Sequence, residues 1–245
     1  MEKSYSDKNN RNDKRYTNDN RYRILQVIKY LVCLIGIPSV VVGGTIAFDG
    51  KQYAFLSIVV IVLAAVPFII SFEKRNVSTE RLVILSVLVA LSVFGRFCFS
   101  PLPHFKPVTA LVIITGMYMG MEMGFMCGAL SAVLSNFMFG QGPWTPFQMF
   151  AWGIIGFLSG VFAKMLKKNM IALLVYGALC GIIYSLFMDI WTTMWQDGYF
   201  NLSRYMAYVT FAIPTIVVYM VSNVVFLLVL ARPIGKKLER VLVKI

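Results

Sequence analysis

The chain is 245 residues long, 58% hydrophobic and 14% charged, with a mean hydropathy of +0.73. That apolar content exceeds what one soluble core of this length takes up, and it marks an integral membrane protein. The formal net charge of +12 does not point to nucleic acid, because the Lys and Arg residues sit between apolar runs, where they set topology.

Residues 1–23 are rich in Asn, Asp, Lys and Arg and nearly free of aliphatic residues, so a disordered basic cytoplasmic tail is expected there. An N-terminal transmembrane helix pair is expected over 24–72, with spans at Ile24–Phe48 and Gln52–Phe72. The first span is too long for a signal sequence and lacks an Ala-x-Ala cleavage pattern. A charged connector, Glu73–Arg81, separates this pair from the rest.

The next span, Leu82–Phe99, ends in Ser100–Pro107, where three prolines stop the helix. Val108–Phe139 is too long for one crossing and short for two, at about 1.5 Å per residue across a core of about 30 Å. Gly116, Gly120, Gly124, Gly128 and Ala132 recur every four residues and would form one packing ladder on a single helix. Charge parity favours two short helices turning near Glu122, since only then do Lys164, Lys167 and Lys168 share a face with the N-terminal tail. Spans at Met149–Leu166, Ile171–Trp191 and Tyr208–Ala231 follow, then a basic cytoplasmic tail over 232–245.

The fold class expected is an all-α membrane protein, a six-helix core over 81–231 preceded by the two extra helices. On that arrangement 18 Lys and Arg residues fall on one side and four on the other, with Lys29 inside a span, which puts both termini in the cytoplasm of a multi-pass cell-membrane protein.

Between the apolar spans lies Gly140–Gln148, Gly-Gln-Gly-Pro-Trp-Thr-Pro-Phe-Gln, at once polar, aromatic and rich in Pro and Gly. It reads as a shaped loop at the outer mouth of a pocket. The expected substrate-binding residues are Asn136, Gln141, Trp144, Thr145, Gln148, Asp189 and Trp191. Trp144 offers a stacking surface, Gln148 an amide, and Asn136 a polar group at a helix end. Asp189 is an ionisable group within a span. The bland alternative for Asp189, Trp191 and Trp195 is hydration and an interfacial aromatic belt. Asn223 is read as a helix-to-helix contact, and the small-residue pairs Ser86/Ala90, Gly156/Gly160 and Gly177/Gly181 as close-packing faces, one of which can receive another protein.

No motif for hydrolysis, phosphate binding or zinc catalysis is present, so an enzyme is not expected. No metal or cofactor is expected either. Cys33, Cys98, Cys127 and Cys180 stand singly in apolar segments as small hydrophobes, and His104, the single histidine, has no partner in sequence.

Residues Arg81–Ala231 resemble the substrate-binding S component of energy-coupling factor (ECF) transporters. The resemblance is carried by Gly95-Arg96, by Pro103-x-x-Lys106-Pro107-Val108-Thr109-Ala110, by Gly116-x-x-x-Gly120 and above all by Phe139–Met149. It implies a six-helix protein that captures a vitamin near its outer face and works with a membrane-embedded T component and two ATPase subunits, toppling in the bilayer to release its load. It also implies that the first core helix docks on the T component through an Ala-x-x-x-Ala face, for which the nearest match here is Ser86-x-x-x-Ala90. The Gly-Pro-Trp-Thr-Pro loop is similar to the branch linked to cobalamin or related corrinoids, with a flavin as the alternative. The rival of another class is a structural membrane scaffold that binds nothing small.

Overall fold

The computed structural model describes residues 24, 27, 28, 31–47, 59, 63, 79–197 and 200–243. The expected basic tail 1–23 and nearly all of the second span and its connector lie outside them.

The described residues are helical apart from short connections, and they include no strand. A π-helical turn, Val32–Gly36, leads into α1 (Ile37–Ala47). The core begins with α2 (Thr79–Cys98), α3 (Val108–Met119) and α4 (Met121–Phe139), and continues with α5 (Trp144–Val161), the short α6 (Ala163–Lys168), α7 (Met170–Asp197) and α8 (Leu202–Leu242). Four of these, α2, α4, α7 and α8, are long and apolar enough to cross a membrane. Large apolar side chains at four-residue spacing stay exposed along them, such as Ile171, Val175, Leu179 and Ile183 on α7. Such stripes suit a solvent of lipid tails rather than water.

The centre of the bundle is α3. It is apolar all round, and every residue but Tyr118 is buried. The expected break within Val108–Phe139 falls at Gly120, whose φ of 103° is open to glycine and strained for other residues. The glycine ladder is thereby divided between two helices that fold back on each other. Gly116 on α3 and Gly124 on α4 both meet Gly156 of α5 so closely that a methyl group on either would strike the Gly156 carbonyl. Gly160 meets Met121 in the same way. Gly177 and Gly181 form the corresponding seam of the α7–α8 hairpin, where Asn223 donates from Nδ2 to the Gly177 carbonyl at 2.9 Å. Two of the three small-residue pairs therefore pack inside the bundle, and Asn223 makes the helix contact expected of it.

Three boundaries differ from expectation. The supposed loop Gly140–Gln148 is a loop only as far as Pro143, because Trp144 opens α5. Pro143 at the cap and Pro146 in the first turn sit where a helix has no use for their missing N–H groups. The α7–α8 connection is shorter than Thr192–Ala207, since α7 runs to Asp197 and α8 starts at Leu202. Nor does the chain break at Ala231: the expected tail stays helical through Pro233 to Leu242, with Leu238 buried and Gly235 against the Tyr118 ring. Of the cysteines, Cys127 and Cys180 are buried as expected and Cys98 is exposed. From the N-terminal segment, α1 lies against α5 and α7 and buries Ile37 and Val41 completely.

Candidate functional site

Polar side chains collect at one end of the bundle, where α2 and α4 finish, α5 starts and α7 approaches its C-terminus. The hub is Arg96, near the end of α2. The residue is 8% exposed, and its Nη1 donates to Ser135 Oγ and, at 2.8 Å, to Asn136 Oδ1. It also lies over two aromatic rings, 4.7 Å from the centroid of Phe139 and 5.2 Å from that of Trp152. Lys106 Nζ sits 5.2 Å from the same Phe139 centroid, so two cations share one ring. Burial and the charge of Arg96 hold the Lys106 ammonium below its ordinary range.

Asn136 passes the connection on. Its Nδ2 donates to Thr145 Oγ1 at 3.1 Å and to Gln148 Oε1 at 2.9 Å. Thr145 donates to Gln141 Oε1 at 3.0 Å and accepts from the Gly142 N–H, while Gln141 Nε2 donates to the Val133 carbonyl. Gln148 Nε2 reaches the Tyr184 hydroxyl on α7 at 2.9 Å. Four of the expected site residues, Asn136, Gln141, Thr145 and Gln148, thus form one network that ties α2, α4, α5 and α7 together. Their amide and hydroxyl groups are engaged within the protein, as buried polar groups must be.

Aromatic rings wall this end. Tyr184 stacks on Trp152 at 5.2 Å and 14°, and meets Tyr219 of α8 edge-on at 5.2 Å. Tyr219 in turn faces His104, with its hydroxyl 3.2 Å from Nδ1. His104 is therefore no isolated loop residue. It takes a φ of 61° to reach Tyr219, in a connection that Ser222 of α8 clasps through both the N–H and the carbonyl of Lys106. Burial, and next the Lys106 charge, lower the His104 pKa from its ordinary value.

Trp144 and Trp191 meet edge-on at 5.8 Å, and Trp195 stacks on Trp191 at 6.3 Å. Asp189 stands outside the network: its Oδ2, like the Trp191 Nε1, is buried with no hydrogen-bond partner. Arg96, Lys106, Trp152, Tyr184 and Tyr219 were absent from the sequence-based set. Of these Arg96 carried a readable signal, as a charge within a span.

A second surface runs along the side of the bundle. Ser86 and Ala90 are both exposed, and with Val89, Phe94, Met126 and Leu134 they line an apolar groove of about 810 Å³ between α2 and α4. The arrangement offers donors, rings and a groove. Among the described residues no group of three or more His, Cys, Asp or Glu side chains is placed to hold a metal.

A protein-family model described as the ECF-type riboflavin transporter S component matches residues 76–240. The chain belongs to this family. Neither the curated proteins nor the solved structures contain a significant match. As an S component, the chain is the substrate-binding subunit of an ECF transporter, a class that works with a T component and ATPases. The match begins three residues before α2 and ends within α8, so it takes in the whole polar end and the Ser86/Ala90 groove and leaves α1 outside.

Proposed function

We propose that this S component captures riboflavin at the polar, aromatic end of its bundle and hands it to a T component and ATPases for uptake. The observation that carries the reading is the family match over residues 76–240, whose description names riboflavin. The chemistry of the site supports it. A flavin is a flat ring system edged with carbonyl and nitrogen acceptors, and this end offers stacked rings at Trp152 and Tyr184 beside the donors Arg96, Lys106 and Tyr184. The corrinoid expected from the Gly-Pro-Trp-Thr-Pro sequence has no comparable support. Part of that sequence, Trp144–Pro146, opens α5, whose start is tied into the bundle by Thr145 and Gln148. Asn136, Gln141, Thr145 and Gln148 shape the site in this reading, Trp144 and Trp191 flank it, and Ser86 and Ala90 receive the T component.

The test is uptake. A bacterial strain that neither makes nor imports riboflavin, supplied with this chain and an ECF module, should grow on low external riboflavin. Failure to grow despite membrane insertion and assembly with the module, together with ECF-dependent uptake of cobalamin in a matching strain, would reverse the substrate assignment.

A further inference from the structure

The hydrogen bonds between Arg96 and Tyr184 run in one direction. A guanidinium only donates, so the Asn136 atom facing Arg96 Nη1 at 2.8 Å is the carbonyl oxygen, and the amide nitrogen points the other way. That nitrogen donates to Gln148 Oε1 at 2.9 Å, which fixes the Gln148 amide in turn and leaves its Nε2 to donate to the Tyr184 oxygen at 2.9 Å. The phenol oxygen therefore accepts, and its proton must be offered elsewhere. Among the described residues Gln148 is the one hydrogen-bond partner of that hydroxyl. Stacking on Trp152 and the edge contact with Tyr219 fix the ring plane, and conjugation keeps the O–H close to that plane.

The charged groups beside this chain are also donors. Arg96 and Lys106 flank the Phe139 ring, and no ion pair joins either to a carboxylate among the described residues. Arg96, Lys106 and Tyr184, set around Phe139 and Trp152, thus each have a proton to offer an acceptor, and the two cations repel a third.

We propose that Tyr184 is the specificity-determining hydrogen-bond donor of the substrate site, and that Arg96, Asn136 and Gln148 are positioning residues that hold its proton toward the ligand. The substrate class this selects is a neutral or anionic ring system with carbonyl or ring-nitrogen acceptors on its edge, and cationic heterocycles are rejected. The inference rests on the riboflavin reading above and adds the atom that recognises the flavin edge.

The test reverses the chain without removing it. In Gln148→Glu the new carboxylate still accepts from Asn136, but it can only accept from Tyr184, so it draws the phenol proton away from the ligand. Asn136→Asp does the same one link earlier, since Gln148 must then turn its amide nitrogen toward the aspartate and its oxygen toward Tyr184. Riboflavin titrations of the purified protein, followed by quenching of flavin fluorescence, should show at least ~10-fold weaker binding for Tyr184→Phe and for either reversal variant. The double variant Tyr184→Phe/Gln148→Glu should bind no more weakly than either single variant, because both remove the same proton. Melting temperature reports folding, and Asn136→Asp carries the comparison if Gln148→Glu does not fold. Wild-type affinity in folded Tyr184→Phe, wild-type affinity in the folded reversal variant, or additive losses in the double variant would overturn the proposal and leave the riboflavin reading intact. Absence of riboflavin binding by the wild-type protein would overturn both.

Discussion

Arg96 is the residue on which the polar end depends. A buried guanidinium is costly unless it finds partners, and here Ser135 and Asn136 accept from Nη1 and two aromatic faces lie against the cation, with no carboxylate among the described residues, which leaves its other N–H groups for a further acceptor. His104 belongs to the same end and gives it a pH response. Its pKa is held below the ordinary value, so in the window beneath about 6.5 the unfolded chain binds more protons than the folded one. Stability contributed there is complete above that window and is lost as pH falls through it. The melting temperature in detergent should accordingly drop between pH 7 and pH 5.5, and His104→Gln should remove part of that drop; an identical profile for the variant would show that the His104–Tyr219 contact does not report on folding. Much of this end could be read from the sequence. Asn136, Gln141, Thr145 and Gln148 stood out as polar residues bordering apolar spans, and the structure joins them in one network. Tyr184 and Trp152 did not stand out, because an aromatic residue within an apolar span looks the same whether it faces lipid, core or ligand.

At the scale of elements, the short central α3 and the turn at Gly120 decide how the helices meet. The turn was legible because charge parity required an extra crossing near Glu122, whereas the N-terminus of α5 was not, since Pro143 and Pro146 signal a loop and a first helical turn equally well. The small-residue pairs look alike in sequence, but only the structure separates Gly156/Gly160 and Gly177/Gly181, which close seams inside the bundle, from Ser86/Ala90, which stay exposed on α2. We therefore expect Ser86→Trp or Ala90→Trp to abolish riboflavin uptake in cells while the purified variant binds riboflavin as the wild type does. A tryptophan there would block the approach of another helix without touching Arg96 or Tyr184. Loss of binding together with uptake would mean that the groove belongs to the substrate site.

The whole molecule is polarised. Lys167 lies over Tyr118 at 4.4 Å, and Gly235 on α8 packs against the same ring, so Lys164–Lys168 and the basic end of α8 gather at the pole opposite Arg96. From the excess of positive charge we propose that this pole is the cytoplasmic one. In a background with Cys98→Ser, an impermeant thiol reagent applied to intact cells should label Leu102→Cys and Phe200→Cys and spare Asn169→Cys; labelling of Asn169→Cys from outside would invert the arrangement. The most direct measurement of the central claim is an equilibrium titration of the purified full-length protein with riboflavin. The account predicts saturable quenching of flavin fluorescence at one riboflavin per chain, with a rise in melting temperature that follows RT ln(1 + [L]/Kd) and no such rise with cobalamin. Unquenched flavin emission with an unchanged melting temperature, in protein that cobalamin does stabilise, would contradict it.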